Sequence, residues 1–273
     1  MPLSNPKYRR PLKPAQVEVL QLLYRFRFTT TELIASYQHK KNAAAVFNRM
    51  RVLCEQEYIG RNFSSSYRLL GKPASYYLLP KGIQVLREDP DNAAKVLHSL
   101  YKDKTASEQF IAQSLTLFQT YLKLTDLYGD ALDLFTKSEL TTFDYFPKKQ
   151  PDAYISLKGK NKGRTKHYVL LVVDEATPHF AAVKRVQGLI HHAETGKWSV
   201  ALSGPPIVLI VADTIKQQKA LQPRLARAIE AAKVENPRFY LACKERVAAL
   251  TPESDDSWQS VTDPILLRSL RTM

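Results

Sequence analysis

The residues best suited to recognise a ligand lie between positions 40 and 56. At 100° per residue, one side of a helix predicted from about Asn42 to Gln56 combines small, amide and cationic side chains: Lys41, Ala44, Ala45, Asn48, Arg49 and Val52. Small residues allow close approach to base edges, and Lys, Asn and Arg donate hydrogen bonds to bases and phosphates. An ordinary surface helix, the alternative, more often carries Glu/Lys pairs. We predict a DNA recognition helix with contacts from Lys40, Lys41, Ala45, Asn48 and Arg49.

The elements before this helix give it a helix-turn-helix setting. A helical pattern opens at Pro14, and Thr29 or Thr30 with Glu32 predicts the capped start of a short second helix that ends near Tyr37. The opposite side of the recognition helix is predicted as core: Ala43, Val46, Phe47, Met50, Leu53 and Cys54. Gly60 is predicted to cap the end of that helix.

A basic hairpin follows, and it is predicted to form a wing. Two predicted short strands, Arg61–Phe63 and Ser75–Leu79, flank a polar loop that contains Arg68 and Lys72. These two cations are predicted to meet phosphates or a minor groove, although any hairpin has a polar tip. The sequence therefore predicts a winged helix-turn-helix domain over residues 8–88 that binds double-stranded DNA.

Net charge supports a polyanionic partner for this domain. The chain carries +14, and residues 1–87 hold 15 lysines and arginines against four acids, whereas the remaining residues hold 25 against 22. Positive charge concentrated in one segment is typical of nucleic-acid binding, although a solvated basic surface gives the same composition.

The rest of the chain is predicted to form a helical connector, residues 89–104, and an α/β domain, residues 105–273. A long helix runs over about 106–128, and further helices over about 178–193 and 215–234. Alternation with apolar segments predicts a partly parallel sheet. The predicted strands are Ala131–Phe135, Leu140–Tyr145, Pro151–Leu157, Tyr168–Val173, Ile207–Val211 and Arg238–Ala242.

The order of strand, Pro-Asp, basic hairpin, strand, paired acids and helix resembles the PD-(D/E)xK nuclease core. The resemblance implies a nuclease-like fold in which Asp152 is the first acid and Asp174 or Glu175 the second, with Asp152 and Asp174 as the Mg²⁺ ligands, and a lysine near the attacking water completes the catalytic set. The position of that lysine is Ala176 here, so the resemblance implies that Lys184 or Arg185 would replace it. Such families often add an acid from the preceding helix.

Two further features bear on this nuclease-like site. Glu108 is the candidate for the acid from the preceding helix. The basic loop from Lys158 to Lys166 would hold a phosphate backbone if it lay beside Asp152 and Asp174; otherwise it is a solvated hairpin. An acid at a strand end is also often only a cap. We expect a nuclease-like domain without activity, with Mg²⁺ as the cofactor if it is active, and no other cofactor.

Together the two halves resemble the replication-relaxation family of mobile-element proteins. The shared motifs are Pro151-Asp152-Ala153 and Val173–Thr177, and the resemblance extends over about residues 14–195. It implies a role in replication initiation or DNA mobilisation on a plasmid or integrated element. A transcriptional repressor whose second domain dimerises and a Mg²⁺-dependent site-specific endonuclease remain alternatives, and a homodimer and a replication or relaxase partner protein remain open.

The sequence predicts neither a membrane-spanning segment nor a secretory signal. It has no apolar run of about 18 residues and no apolar signal segment near its start. Cys54 and Cys243 are its two cysteines, and neither has zinc-ligand spacing. We expect a reduced, cytoplasmic protein.

Overall fold

The structure, a computed structural model, describes residues 11–159, 164–198, 204–233 and 237–273. The chain divides into two compact units, one up to Lys104 and one from Thr105 onward. The predicted helical N-terminal part and the mixed-sheet part that follows it are both confirmed. None of the described helices is long and apolar enough to cross a membrane.

The first unit is mainly helical, with one small hairpin. Pro14 lies in the first turn of α1, and the Oγ1 atom of Thr30 caps α2 by accepting the Leu33 N–H at 3.3 Å. The elements in chain order are α1 Pro14–Phe26, α2 Thr31–Tyr37, α3 Ala44–Glu55, β1 Ile59–Asn62, α4 Ser65–Leu69, β2 Ser75–Leu78, α5 Pro80–Arg87 and α6 Ala94–Leu100.

The hairpin pairs β1 and β2 antiparallel, with Ile59 opposite Leu78, and Thr29 adds a single bridge to Tyr76. The predicted cap at Gly60 is wrong. Glu57 takes the left-handed conformation after α3, with φ 60°, and Gly60 lies inside β1. A Cβ atom at position 60 would come within 2.3 Å of the Tyr77 ring, so close packing explains this glycine.

The core of the first unit contains the buried side of α3. Val46, Met50 and Leu53 are completely buried there. Phe47 was predicted to join them, but it is 50% exposed. It lies about 100° around the helix from Val46, which carries it to the flank of α3.

Residues 89–104, which the sequence assigned to a connector, pack within the first unit. The Ala93 N–H donates to the Tyr24 hydroxyl at 3.0 Å. A 3-10 turn at Asp103–Thr105 ends the segment, and Arg27 at the end of α1 binds both Asp103 and Ser99. The first unit therefore includes α6 and the turn after it.

The second unit is a seven-stranded mixed sheet with helices. The strands are β3 Leu132–Thr136, β4 Ala153–Leu157, β5 Lys166–Val173, β6 Ile207–Ala212, β7 Phe239–Cys243, β8 Trp258–Ser260 and β9 Leu267–Arg268. They lie side by side in chain order: β5, β6 and β7 are parallel, and the other neighbours are antiparallel. The helices are α7 Glu108–Tyr128, α8 His179–Glu194, α9 Ile215–Ala232 and α10 Lys244–Ala248.

Helices α8 and α9 pack on the sheet through one apolar cluster that includes Val169, Leu171 and Ile210. The alternate residues of β5, Leu170 and Val172, are buried as well, so this strand is covered on both faces. The predicted strand Leu140–Tyr145 is wrong, because the segment contains a 3-10 helix, Glu139–Thr142. The Glu139 carboxylate accepts the Thr136 N–H at 2.7 Å and ends β3 there.

Candidate nucleic-acid interface

The outer side of α3 presents small and amide side chains to solvent. Ala44, Ala45 and Asn48 are all exposed, and Lys40 and Lys41 are exposed in the turn before the helix. The Asn42 side chain accepts the Ala44 N–H at 2.8 Å and so holds the start of α3. Ala44, Ala45 and Asn48 therefore share one exposed side of α3, and the two predicted lysines are exposed just before it.

Arg49 stands apart from this surface. Its Nη1 donates to Oε1 of Gln38 at 2.9 Å, and the Gln38 amide in turn donates to Glu18. This chain joins α3 to the end of α2 and to α1. Arg49, predicted to contact DNA, is half-buried and holds the angle between the helices.

The predicted wing cations lie beyond the hairpin strands. Arg68 and Lys72 are exposed, and the Lys72 ammonium lies 5.8 Å from the centre of the Tyr67 ring. The guanidinium of Arg61 lies 4.5 Å from the centre of the Phe63 ring. No acidic residue occurs between Tyr58 and Arg87 in the sequence, so this surface is uniformly cationic.

Asp152 has a structural role in the second unit. Strand β4 begins at Ala153, opposite Leu170, so Val172 extends past the end of β4. The Asp152 carboxylate accepts the Val172 N–H at 2.7 Å and a donor of Arg185 at 2.7 Å, and Arg185 also donates to the Val172 carbonyl at 3.0 Å. The acid and the arginine thus complete the edge of β5 beyond β4.

We expect Arg185→Met to lower the free energy of unfolding of the second unit by about 1–3 kcal/mol, because it removes charged hydrogen bonds. Trp198 and Trp258 both lie in this unit, so their fluorescence during urea unfolding measures the change. The double variant Asp152→Asn/Arg185→Met should lose less free energy of unfolding than the sum of the losses in the two single variants. An unchanged urea midpoint for Arg185→Met would show that the pair is not structural.

Asp174 is buried among side-chain donors. Its carboxylate accepts Nε2 of Gln109 at 3.0 Å, the Thr177 hydroxyl at 3.1 Å and the amide of Gln113. The Gln217 amide donates to its main-chain oxygen. The sequence analysis missed these glutamines; their signal is the four-residue spacing of Gln109 and Gln113, which places both on one face of α7.

The other predicted catalytic residues lie away from Asp174's partners. Glu108 is exposed at the start of α7, where Gln109 and Gln113 reach Asp174 instead. Glu175 is exposed and accepts the Thr214 hydroxyl at 3.1 Å. Lys184 is exposed on α8, whereas the next residue, Arg185, reaches Asp152.

These surroundings do not fit a Mg²⁺ site. Magnesium binds oxygen ligands that point into a shared space, often with several waters. Here amide and guanidinium donors, which repel a cation, occupy the carboxylates of Asp152 and Asp174. Within the described part of the chain, no three His, Cys, Asp or Glu residues are grouped to hold a metal.

The basic loop was expected to hold a phosphate backbone only if it lay beside Asp152 and Asp174, and its two described ends do not lie there. Asp152 precedes β4 and Asp174 follows β5, whereas Lys158 follows β4 and Lys166 begins β5. Because the two strands are antiparallel, the two acids lie at one end of this strand pair and Lys158 and Lys166 at the other, about 20–25 Å away for strands of this length.

Two lysines at the ends of this loop already have partners. Lys158 pairs with Asp133 at 3.3 Å, and the Lys166 ammonium donates to the main-chain oxygen of Met273 at 2.7 Å. Burial, with the nearby charge of Arg238, lowers the pKa of Lys166. Lys160 and Lys162 lie outside the described residues.

The first unit has the element order of a winged helix-turn-helix, and α3 and the hairpin expose amide and cationic side chains. The chain matches the model of the replication-relaxation family over residues 20–198, which is more than half of its length. It belongs to this family. No curated protein sequence matches the chain.

Among solved structures, the chain is similar to mutant forms of Lactococcus lactis ZitR. Two of them share 21% identity over 47% of this chain and 70% of theirs, with TM-scores of 0.25 and 0.24. A third shares 19% identity over 45% of this chain and 80% of its own, with a TM-score of 0.25. These values are too low to support a conclusion about function.

Proposed function

We propose that this protein binds a specific double-stranded DNA site on a plasmid or integrated mobile element and acts there in replication initiation or DNA mobilisation. The observation that carries the proposal is the exposed face of α3, which presents Ala44, Ala45 and Asn48 in the same unit as an acid-free basic hairpin. The family to which the chain belongs supports the replication role.

Each residue type has a place in this proposal. Asn48 reads a base edge in the major groove, since an Asn amide can pair with adenine through two hydrogen bonds. Ala45 lets the helix approach closely. Lys40 and Lys41 hold phosphates beside the major groove, and the exposed hairpin cations hold the adjacent backbone. Arg49 positions α3 through Gln38.

The second unit acts in this proposal as a nuclease-like platform that does not cut DNA. The donors around Asp152 and Asp174 support this assignment, because they occupy the oxygens that a metal would need. The platform holds DNA or a replication or relaxase partner protein. A pseudo-palindromic target would point to a homodimer.

Footprinting on supercoiled DNA of the element that carries the gene tests the proposal, with and without Mg²⁺. We expect protection of one discrete site, lost in Lys41→Ala/Asn48→Ala, and no cuts that depend on Mg²⁺. Cuts that require Mg²⁺ and vanish in Asp152→Ala would instead establish an endonuclease. Protection nowhere would refute DNA recognition.

The position of the protected site separates replication from transcriptional repression. A site at an origin or transfer locus supports the proposed role. A site confined to the gene's own promoter would favour the repressor alternative. The same footprint therefore decides both questions, without any further variant.

A further inference from the structure

The tip of the hairpin exposes two adjacent leucines. Leu69 is 88% exposed and Leu70 is 66% exposed, the largest values for a big apolar side chain among the described residues of the first unit. Exposed apolar side chains are common singly, but a contiguous pair at the end of a projecting hairpin is a feature of binding surfaces. We therefore treat Leu69 and Leu70 as a candidate binding surface.

The backbone of the tip holds these leucines outward. The N–H groups of Tyr67 and Arg68 donate to the Ser64 carbonyl at 3.1 and 3.3 Å, which forms the short helix α4. Lys72 N–H then donates back to the Tyr67 carbonyl at 2.9 Å. Gly71 makes this reversal possible because its φ is +62°, a conformation that side chains other than glycine rarely take.

The charges beside the leucines identify the partner as DNA. Arg68 and Lys72 flank the pair in the sequence and are both exposed, and the sequence holds no acid from Tyr58 to Arg87. An obligate protein interface would need a much larger apolar area than two side chains. A narrow apolar tip with cations next to it suits the minor groove, whose walls are the sugar–phosphate backbones and whose floor is formed by the edges of the base pairs.

We propose that Leu69 and Leu70 form a wedge that enters the minor groove, partly unstacks a base step and kinks the DNA site. The inference rests on the DNA binding proposed above. Proteins that bend DNA through the minor groove insert leucine and similar side chains in this way, with cations on the flanking phosphates. Pyrimidine–purine steps such as TA deform most easily, so one is expected beneath the wing.

An unstacked step also suits a protein that acts at an origin. Partial unstacking removes some of the base-to-base contact that holds a duplex together, and strand opening then begins from a weakened step. The wedge would thus give the first unit an activity beyond site recognition, which is local distortion of the duplex. Nothing in this activity needs a metal or a nucleotide.

Bending and unstacking can be measured on the footprinted duplex with the full-length protein. Donor and acceptor dyes on the duplex ends report bending, and 2-aminopurine beside the expected step reports unstacking. For the natural protein we expect a shorter end-to-end distance and brighter 2-aminopurine. Leu69→Ala/Leu70→Ala should still bind the site but lose both signals, and Leu69→Met/Leu70→Met should retain them.

Three other results would overturn the wedge, and they differ in what they imply for the proposed function. Specific binding by the natural protein without bending or unstacking would overturn the wedge and leave the proposed function intact. A change in the sedimentation of the DNA-free protein in the alanine variant would overturn it in favour of contacts between copies of the chain. Absence of binding by the natural protein would remove the proposed function, and the wedge with it.

Discussion

Asn48→Ala is expected to weaken binding to the specific DNA site by about 10–100-fold. A bidentate amide–base pair contributes about 1–3 kcal/mol of discrimination, and Asn48 is the exposed amide on the outer side of α3. Binding to unrelated DNA depends on phosphate contacts, so it should change little. Fluorescence anisotropy with the footprinted duplex and a scrambled duplex, at one salt concentration, measures both affinities.

Gln84→Ala is the matched control for this measurement. Gln84 is also an exposed amide in the first unit, but it lies on α5, where it accepts a hydrogen bond from Arg87. We expect it to leave both affinities unchanged. If Asn48→Ala weakens both duplexes equally, Asn48 contacts the backbone and another residue reads the sequence. If it changes neither affinity, α3 is not the recognition helix.

The sequence predicted the outer side of α3 better than its flanks. Helical periodicity gives the angles between side chains, so Ala45 and Asn48 fall together in any helix. The direction of the core is a tertiary property, and here Val46, Met50 and Leu53 determine it. Phe47 and Arg49 lie beside that direction on the two flanks, which is why one proved exposed and the other half-buried.

For Asp152 and Asp174 too, the sequence predicted the position along the chain but not the partners of the side chain. Strand patterns placed Asp152 in the first residues of one strand and Asp174 just after the next, close to where the structure has them at the ends of β4 and β5. Their partners come from other elements: Arg185 from α8, and Gln109 from α7, 65 positions before Asp174. The four-residue spacing of Gln109 and Gln113 places both on one face of α7, but a single sequence does not show that this face meets Asp174 or that Arg185 meets Asp152, so the character of the site could not be predicted.

Residue composition also decided which strands could be predicted from the sequence. Buried strands rich in Val, Ile and Leu, such as β5 and β6, were predicted close to their observed bounds. The short strands β8 and β9 were missed, because a segment of two or three residues is too short to show an alternation of apolar and polar side chains. The hairpin turn also hid α4, whose five residues are too few to show a helical period.

A buried ion pair holds the end of the first unit together. The Arg27 guanidinium donates to the Asp103 carboxylate at 2.9 Å from Nε, and to the Ser99 hydroxyl at 3.0 Å. Asp103 is 1% exposed. A buried ion pair adds little stability compared with an apolar pair of similar size. Removal of one partner is nevertheless costly, because it leaves a buried charge uncompensated.

Arg27→Ala is therefore expected to destabilise the first unit by about 3–5 kcal/mol. Urea unfolding followed by far-ultraviolet circular dichroism reports both units, and tryptophan fluorescence reports the second unit, where Trp198 and Trp258 lie. The dichroism transition should move to lower urea. The control is Arg51→Ala, which breaks an exposed pair with Glu55 and should cost less than about 1 kcal/mol.

The pH dependence of the stability loss in Arg27→Ala shows whether the loss comes from the unpaired buried charge of Asp103 or from lost packing. Burial raises the pKa of Asp103, even though Arg27 lowers it in part. A carboxyl with a raised pKa takes up a proton on folding, so its burial costs least at low pH and most above the folded pKa. Without Arg27 that pKa rises further, so the loss in Arg27→Ala should be smaller near pH 5 than near pH 7.5. An equal loss at both values would mean that Arg27 stabilises the unit by packing alone.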